Sequence, residues 1–154
     1  MKKLYVMVGV PAAGKSTWIA NQNWKDDAVV VSTDEFVEDY AKECGQTYSE
    51  VFDEYMPRAV ELMVEKVVRA REAGKDIIWD QTSTTVATRA KKLRMLPDYY
   101  AIAVVFRPDV DEVMRRIIGR IPSGKVIPNH VVHKMIAQWE DPTEDEGFKE
   151  IWYV

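Results

Sequence analysis

Residues 9–17 read GVPAAGKST. Gly9 to Ser16 match G-x-x-x-x-G-K-[S/T] in full. The stretch follows Lys3 to Val8 (KLYVMV), an apolar run that reads as a buried strand, and Ser16 to Asn21 can open a helix behind it. Strand, loop and helix in that order are the context the pattern needs. Consecutive backbone N–H groups at a helix N-terminus make an anion cradle. Gly9, Ala12, Ala13, Gly14, Lys15, Ser16 and Thr17 are read as that cradle. Lys15 can reach β- and γ-phosphates, and the Ser16 hydroxyl can ligate Mg²⁺. The loop is expected to hold ATP, or another purine nucleoside triphosphate, with Mg²⁺.

Outward from the loop, strands and helices alternate. Ala28 to Val31, Asp76 to Asp80, Tyr100 to Phe106 and Glu150 to Val154 read as further strands. Thr47 to Glu50 has capping-box spacing, so a helix can start there. Pro57 fits the first turn of a following helix, whose apolar positions recur at three and four until Gly74 ends it. Val86 to Leu96 looks helical, as does Pro128 to Trp139, and Asp109 to Glu112 again has capping-box spacing. The strands are continuous apolar runs, which implies a parallel sheet covered on both faces. The expectation is an α/β, P-loop NTPase-type three-layer fold with a small helical lid. Ligands of such sheets bind at the carboxyl ends of the strands. That rule selects Gly9 to Thr17, Ser32 to Asp34, Asp80 to Thr82, and Arg107.

Composition sets the outer bounds. The chain has 154 residues, 47% of them apolar and 30% charged, which suits one globular domain spanning 1–154. No run approaches the roughly 20 apolar residues of a membrane span. Cys44 is the only cysteine, and the start lacks a signal's apolar stretch, so a cytoplasmic place is expected. A net charge of −4 argues against nonspecific coating of nucleic acid, though not against a local basic cleft. His130 and His133 are three apart, with no further histidine to complete a metal set. The five tryptophans are scattered, which is more consistent with core or rim positions than with a stacking platform.

The fate of a bound phosphate turns on the other strand ends. Transfer needs an acceptor hydroxyl with a base beside it. Asp34, just past the second strand, is placed for that, although an Asp there would also cap a helix. Glu35 is counted with the acceptor side, although a first-turn acid also suits the helix dipole. Asp80 ends the third strand, where an acid can sit near metal and γ-phosphate. Gln81 and Thr82 could contact the acceptor, while Ser83 to Thr85 could cap the next helix. Arg115, Arg116, Arg120 and Lys125 lie within eleven residues broken by Gly and Pro. A cationic lid over about 115–128 would look like this, with Arg116 and Arg120 on one helical face.

Assembled, these residues resemble the phage-type polynucleotide kinases, P-loop enzymes that phosphorylate 5′-hydroxyl ends of DNA and RNA. Gln138 to Phe148 (QWEDPTEDEGF) is also similar to the "F-E-x-P-T-x-x-E-G-F" tail of eukaryotic polynucleotide kinase domains. The resemblance implies Lys15 and Ser16 as phosphate and magnesium residues and Asp34 as general base. It implies Asp80 as an essential acid, with Arg120 and Arg116 on the donor phosphates. It also implies an arginine shortly after the base aspartate, and here Val37 stands there. A cation is missing where an acceptor backbone would be gripped, so a shallow salt dependence and a weak acceptor affinity are expected. The leading reading is an ATP-dependent kinase of a nucleic-acid 5′-hydroxyl. The alternatives are a kinase of hydroxymethyl-pyrimidine bases in phage DNA, a small-molecule or nucleoside kinase, and a non-catalytic nucleotide-binding module.

Overall fold

The computed structural model describes residues 1–154. Five parallel strands form one sheet: β1 (Lys3–Val8), β2 (Ala28–Val31), β3 (Asp76–Trp79), β4 (Tyr100–Val105) and β5 (Glu150–Tyr153). Their order is β2-β3-β1-β4-β5. The helices between them are α1 (Lys15–Ala20), α2 (Asp34–Cys44), α3 (Tyr48–Glu72), α4 (Val86–Met95), α5 (Val110–Arg120) and α6 (Asn129–Ala137). The expected α/β fold with a doubly covered parallel sheet is what forms.

The pleat sorts the strand residues between the two faces. Leu4 pairs with Ile77 and Ala101, and Val6 with Trp79 and Ala103. These lie in one core with Met63, Val67 and Ala70 of α3. Their neighbours Tyr5, Met7, Ile78 and Ile102 form a second core with Ile19 of α1. Each fully buried Val, Leu or Ile contributes about 1.5–3 kcal/mol, so both faces drive sheet formation. No helix is long and apolar enough to cross a membrane.

Two local expectations are corrected. Pro57 does not open a helix. It lies inside α3, which starts earlier at the Thr47 capping box and runs unbroken for 25 residues. Proline removes the donor to Asp53's carbonyl, but both residues are exposed, so water can take that bond. At α5 only half a capping box forms. Asp109 accepts from the Glu112 N–H, while the Glu112 carboxylate is drawn to Arg115 and Arg116 instead.

The tail over 138–148 serves the fold. Glu146 receives the buried guanidinium of Arg89 on two oxygens, at 2.8 and 3.2 Å, and closes a capping box with Thr143. Phe148 is buried in the first core. Removing one partner of so buried a pair strands a charge, at a cost of about 3–5 kcal/mol. This segment pins α4 to the last strand.

Candidate active site

The strand order explains how distant residues meet. β2, β3 and β1 are neighbours, so their carboxyl ends, which lead to Asp34, Asp80 and the phosphate loop, lie side by side. Two backbone bonds tie those ends together. The Asp80 N–H donates to Val31 O at 2.8 Å, and the Gly9 N–H donates to Thr82 O at 2.9 Å.

The loop itself is strained into shape. Ala12 has φ +64° and Gly14 φ +101°, both in the left-handed region. An alanine there carries a cost of roughly 1–2 kcal/mol, which is tolerated where packing dictates the turn. The packing comes from α5 and α6, since Val10 and Ala12 are buried against Val113, Ile117 and Val132. That contact also brings Arg116 onto the loop, donating to Ala12 O at 3.1 Å. A Cβ on Gly14 would come within 3.3 Å of the same guanidinium.

Lys15 folds back over the loop and donates to Gly9 O at 2.8 Å and Val10 O at 3.0 Å. Burial lowers its pKa to about 8, against the opposing pull of Asp80 and then Asp34. Burial pushes Asp80 up, offset first by the charge of Lys15. Ser16 Oγ donates to Asp80 Oδ2 at 3.4 Å, a hydroxyl and a carboxylate converging beside the cradle. Nowhere do three or more His, Cys, Asp or Glu side chains gather as a metal cage. A Ser–Asp pair fits Mg²⁺, which keeps waters and binds through one or two carboxylates plus substrate phosphates.

Asp34 is not a cap. It is the first residue of α2, and Thr33 precedes it as N-cap. Its carboxylate is engaged on both oxygens. Tyr48 OH donates to Oδ1 at 2.6 Å, and Lys125 Nζ approaches Oδ2 at 3.2 Å. Lys125 also lies 3.6 Å from Glu38 and 4.4 Å from the centre of the Tyr48 ring. Burial, then the bond to Asp34, pushes the Tyr48 phenol well above its ordinary range, so it stays a donor. The sequence singled out neither Tyr48 nor Glu38, and it placed Lys125 only among the basic residues of the lid. Tyr48 was visible only as part of a capping box.

The other expected site residues divide. Arg120 is half-buried, and its charge is felt at Lys15. Glu35 is taken by Lys66 of α3 at 2.8 Å, a helix-to-helix ion pair. Gln81 accepts from the Trp79 indole at 3.0 Å, and Thr82 lends its backbone carbonyl to Gly9. Thr85 caps α4. Arg107 lies over the Tyr153 ring at the far end of the sheet. Val37 is fully buried between α2 and α3 with Ala41, Val51 and Ala59. An arginine could not stand there without opening that contact, so any acceptor-side cation must come from elsewhere.

Known proteins share this fold. The fold is similar to a provisionally assigned kinase from Chloroflexus aurantiacus J-10-fl, with a TM-score of 0.75 at 16% identity, over 99% of this chain and 87% of that one. It is similar to a chain of the Pnkp1/Rnl/Hen1 RNA repair complex, with a TM-score of 0.66 at 23% identity, over 89% of this chain but only 43% of that one. It is similar as well to a chain of the PezAT toxin–antitoxin system of Streptococcus pneumoniae, with a TM-score of 0.71 at 16% identity, over 100% and 68%. At such identities the likeness is one of fold. The sequence pattern of the AAA domain family matches residues 4–142. The chain therefore belongs to the AAA domain family and has a P-loop, kinase-like fold.

Proposed function

We propose that this protein transfers the γ-phosphate of ATP to a nucleic-acid hydroxyl, foremost the 5′-hydroxyl end of DNA or RNA. The observation that carries the reading is the meeting of Lys15, Asp80 and Asp34 on three adjacent strand ends, within electrostatic reach of one another. A nucleotide-binding module needs the first two, whereas the third, held by its own partners Tyr48 and Lys125, suits an acceptor. The fold's likeness to a chain of an RNA repair complex supports the choice of acceptor.

In this reading Asp34 takes the proton of the acceptor hydroxyl. The acceptor oxygen bonds to the γ-phosphorus as the bond to the β–γ bridging oxygen breaks, and ADP leaves with that electron pair. Tyr48 holds the carboxylate in one orientation through Oδ1. Lys15 and the loop N–H groups follow the charge that develops on the transferred group. Ser16 and Asp80 would hold Mg²⁺, which when bound neutralises phosphate charge. Arg116 braces the loop, and Arg120 faces the donor. Residues 1–154 act as one kinase domain, and residues 115–128 act as its lid.

Labelled γ-phosphate offered with two acceptors tests the reading. One is a plain oligonucleotide with a free 5′-hydroxyl, the other a 5′-blocked duplex containing hydroxymethyl-pyrimidine. Label on the first is expected. Label on the second alone would move the acceptor to a flipped-out base.

The lid carries its own expectation. Arg120→Ala should slow transfer by about 10²-fold, and Arg120→Lys should recover only part, because a guanidinium grips two phosphate oxygens at once. Limited proteolysis near Ser123 and Gly124 should slow when ATP and magnesium are added. Equal cleavage with and without nucleotide would count against a closing lid.

A further inference from the structure

Asp34 and Lys125 are 91 positions apart, and their contact depends on how the lid is seated. The loop after α5 docks on the start of α3. Val126 N–H donates to Ser49 Oγ at 2.7 Å, and Ser49 N–H donates to Gly124 O at 3.3 Å. Gly124 has φ +84°, and a Cβ there would come 2.6 Å from the Thr47 methyl, so only glycine allows this approach. Lys125 is thereby laid along the Tyr48 ring with its ammonium between Asp34 and Glu38. Arg115 and Arg116 are committed elsewhere, Arg115 to Glu112 and Arg116 to Glu112 and the phosphate loop.

We infer that Lys125 is the acceptor-reading cation, whose ammonium passes from Asp34 to a phosphate that the acceptor carries beside its reacting hydroxyl. The inference rests on the reading that Asp34 faces a nucleic-acid acceptor. Tyr48 occupies Oδ1, so Oδ2 is the oxygen left to receive the proton, and Lys125 covers it. A hydroxyl that reaches Oδ2 therefore competes with the ammonium for that oxygen. A neutral alcohol offers nothing for the lost ion pair, in a place where the Lys125 side chain is only 20% exposed. An acceptor with an adjacent phosphodiester or phosphate offers an anion in exchange. A lysine suits this exchange because it is a point charge with three rotatable donors on a flexible stem. The same movement uncovers the face of Tyr48.

The test compares a nucleoside 3′-phosphate with the uncharged nucleoside, each having a free 5′-hydroxyl, in wild type, Lys125→Ala and Lys125→Arg. The wild type should favour the phosphate-bearing acceptor in kcat/KM. In Lys125→Ala that ratio should fall about tenfold, chiefly through KM. The KM for the charged acceptor should rise with salt in the wild type, and less steeply in Lys125→Ala, because screening weakens the ammonium–phosphate contact. Lys125→Arg should keep most of the ratio, which separates charge from fold. A ratio unchanged in Lys125→Ala, including the case where both acceptors decline together, overturns the assignment while leaving the nucleic-acid reading in place. If the wild type labels neither acceptor nor an oligonucleotide, the nucleic-acid reading itself falls, and the role of Lys125 falls with it.

Discussion

Asp34→Asn is expected to slow phosphoryl transfer by roughly 10²–10⁴-fold with little change in ATP affinity. The substitution keeps the shape of the side chain. Its amide oxygen can still accept from Tyr48 OH, whose bond to Oδ1 is the shorter of the two partners' contacts. What is lost is the second anionic oxygen. An amide cannot take a proton from the acceptor, and its N–H₂ would face the Lys125 ammonium, donor against donor. The lid loop should therefore loosen slightly even though the fold holds, because Asp34 is part-buried at a helix start and not in a core cluster. ATP binding should be compared near pH 7, since the charge of Asp34 also supports the protonated form of Lys15. Single-turnover rates and an ATP titration on the same protein decide the matter. A collapse of affinity alongside rate would show that Asp34 serves the metal or the fold.

Lys15→Ala should reduce transfer by about 10²-fold or more, because its charge travels with the phosphate into the transition state. Circular dichroism should stay near that of wild type, as Lys15 bonds only to carbonyls of its own loop. The wild type adds a second readout. Burial lowers Lys15 to about 8 in the free protein. A polyanion favours the protonated form, so ATP affinity should weaken as pH rises through about 8. The decline should be at most about tenfold per pH unit and should continue toward the ordinary lysine range near 10.4. Lys15→Ala should lack this decline. An active Lys15→Ala protein, or a wild type whose ATP affinity is flat from pH 7 to 9.5, would remove Lys15 from the donor site.

The local and periodic features of the fold were legible along the chain. The apolar runs at 3–8, 28–31, 76–80 and 100–106 became strands of the sheet, because a doubly covered sheet tolerates few polar residues in its middle. The loop at 9–17 could be read because its chemistry depends on backbone N–H groups and glycine conformations that neighbouring residues dictate. Asp34 and Asp80 were singled out by one rule, that strand ends carry ligands. Capping boxes at 47 and 85 act over three residues and fall within the same local reach, although the helix run through Pro57 does not. That continuity was decided by solvent exposure on one side of α3, which no spacing records. Tertiary structure alone decided what surrounds Asp34. Tyr48 comes from the next helix and Lys125 from 91 residues downstream, joined by a glycine pressed on Thr47 and by three hydrogen bonds with Ser49. Glu35 stands one residue from Asp34, yet it was drawn into the α2–α3 contact with Lys66, because a helix turns each side chain about 100° from the last, and Val37, on the neighbouring row, is held in that contact by its burial against Ala41, Val51 and Ala59. Sequence proximity thus suggested the wrong neighbours for Asp34, since the cation beside it depends on where a distant loop can dock.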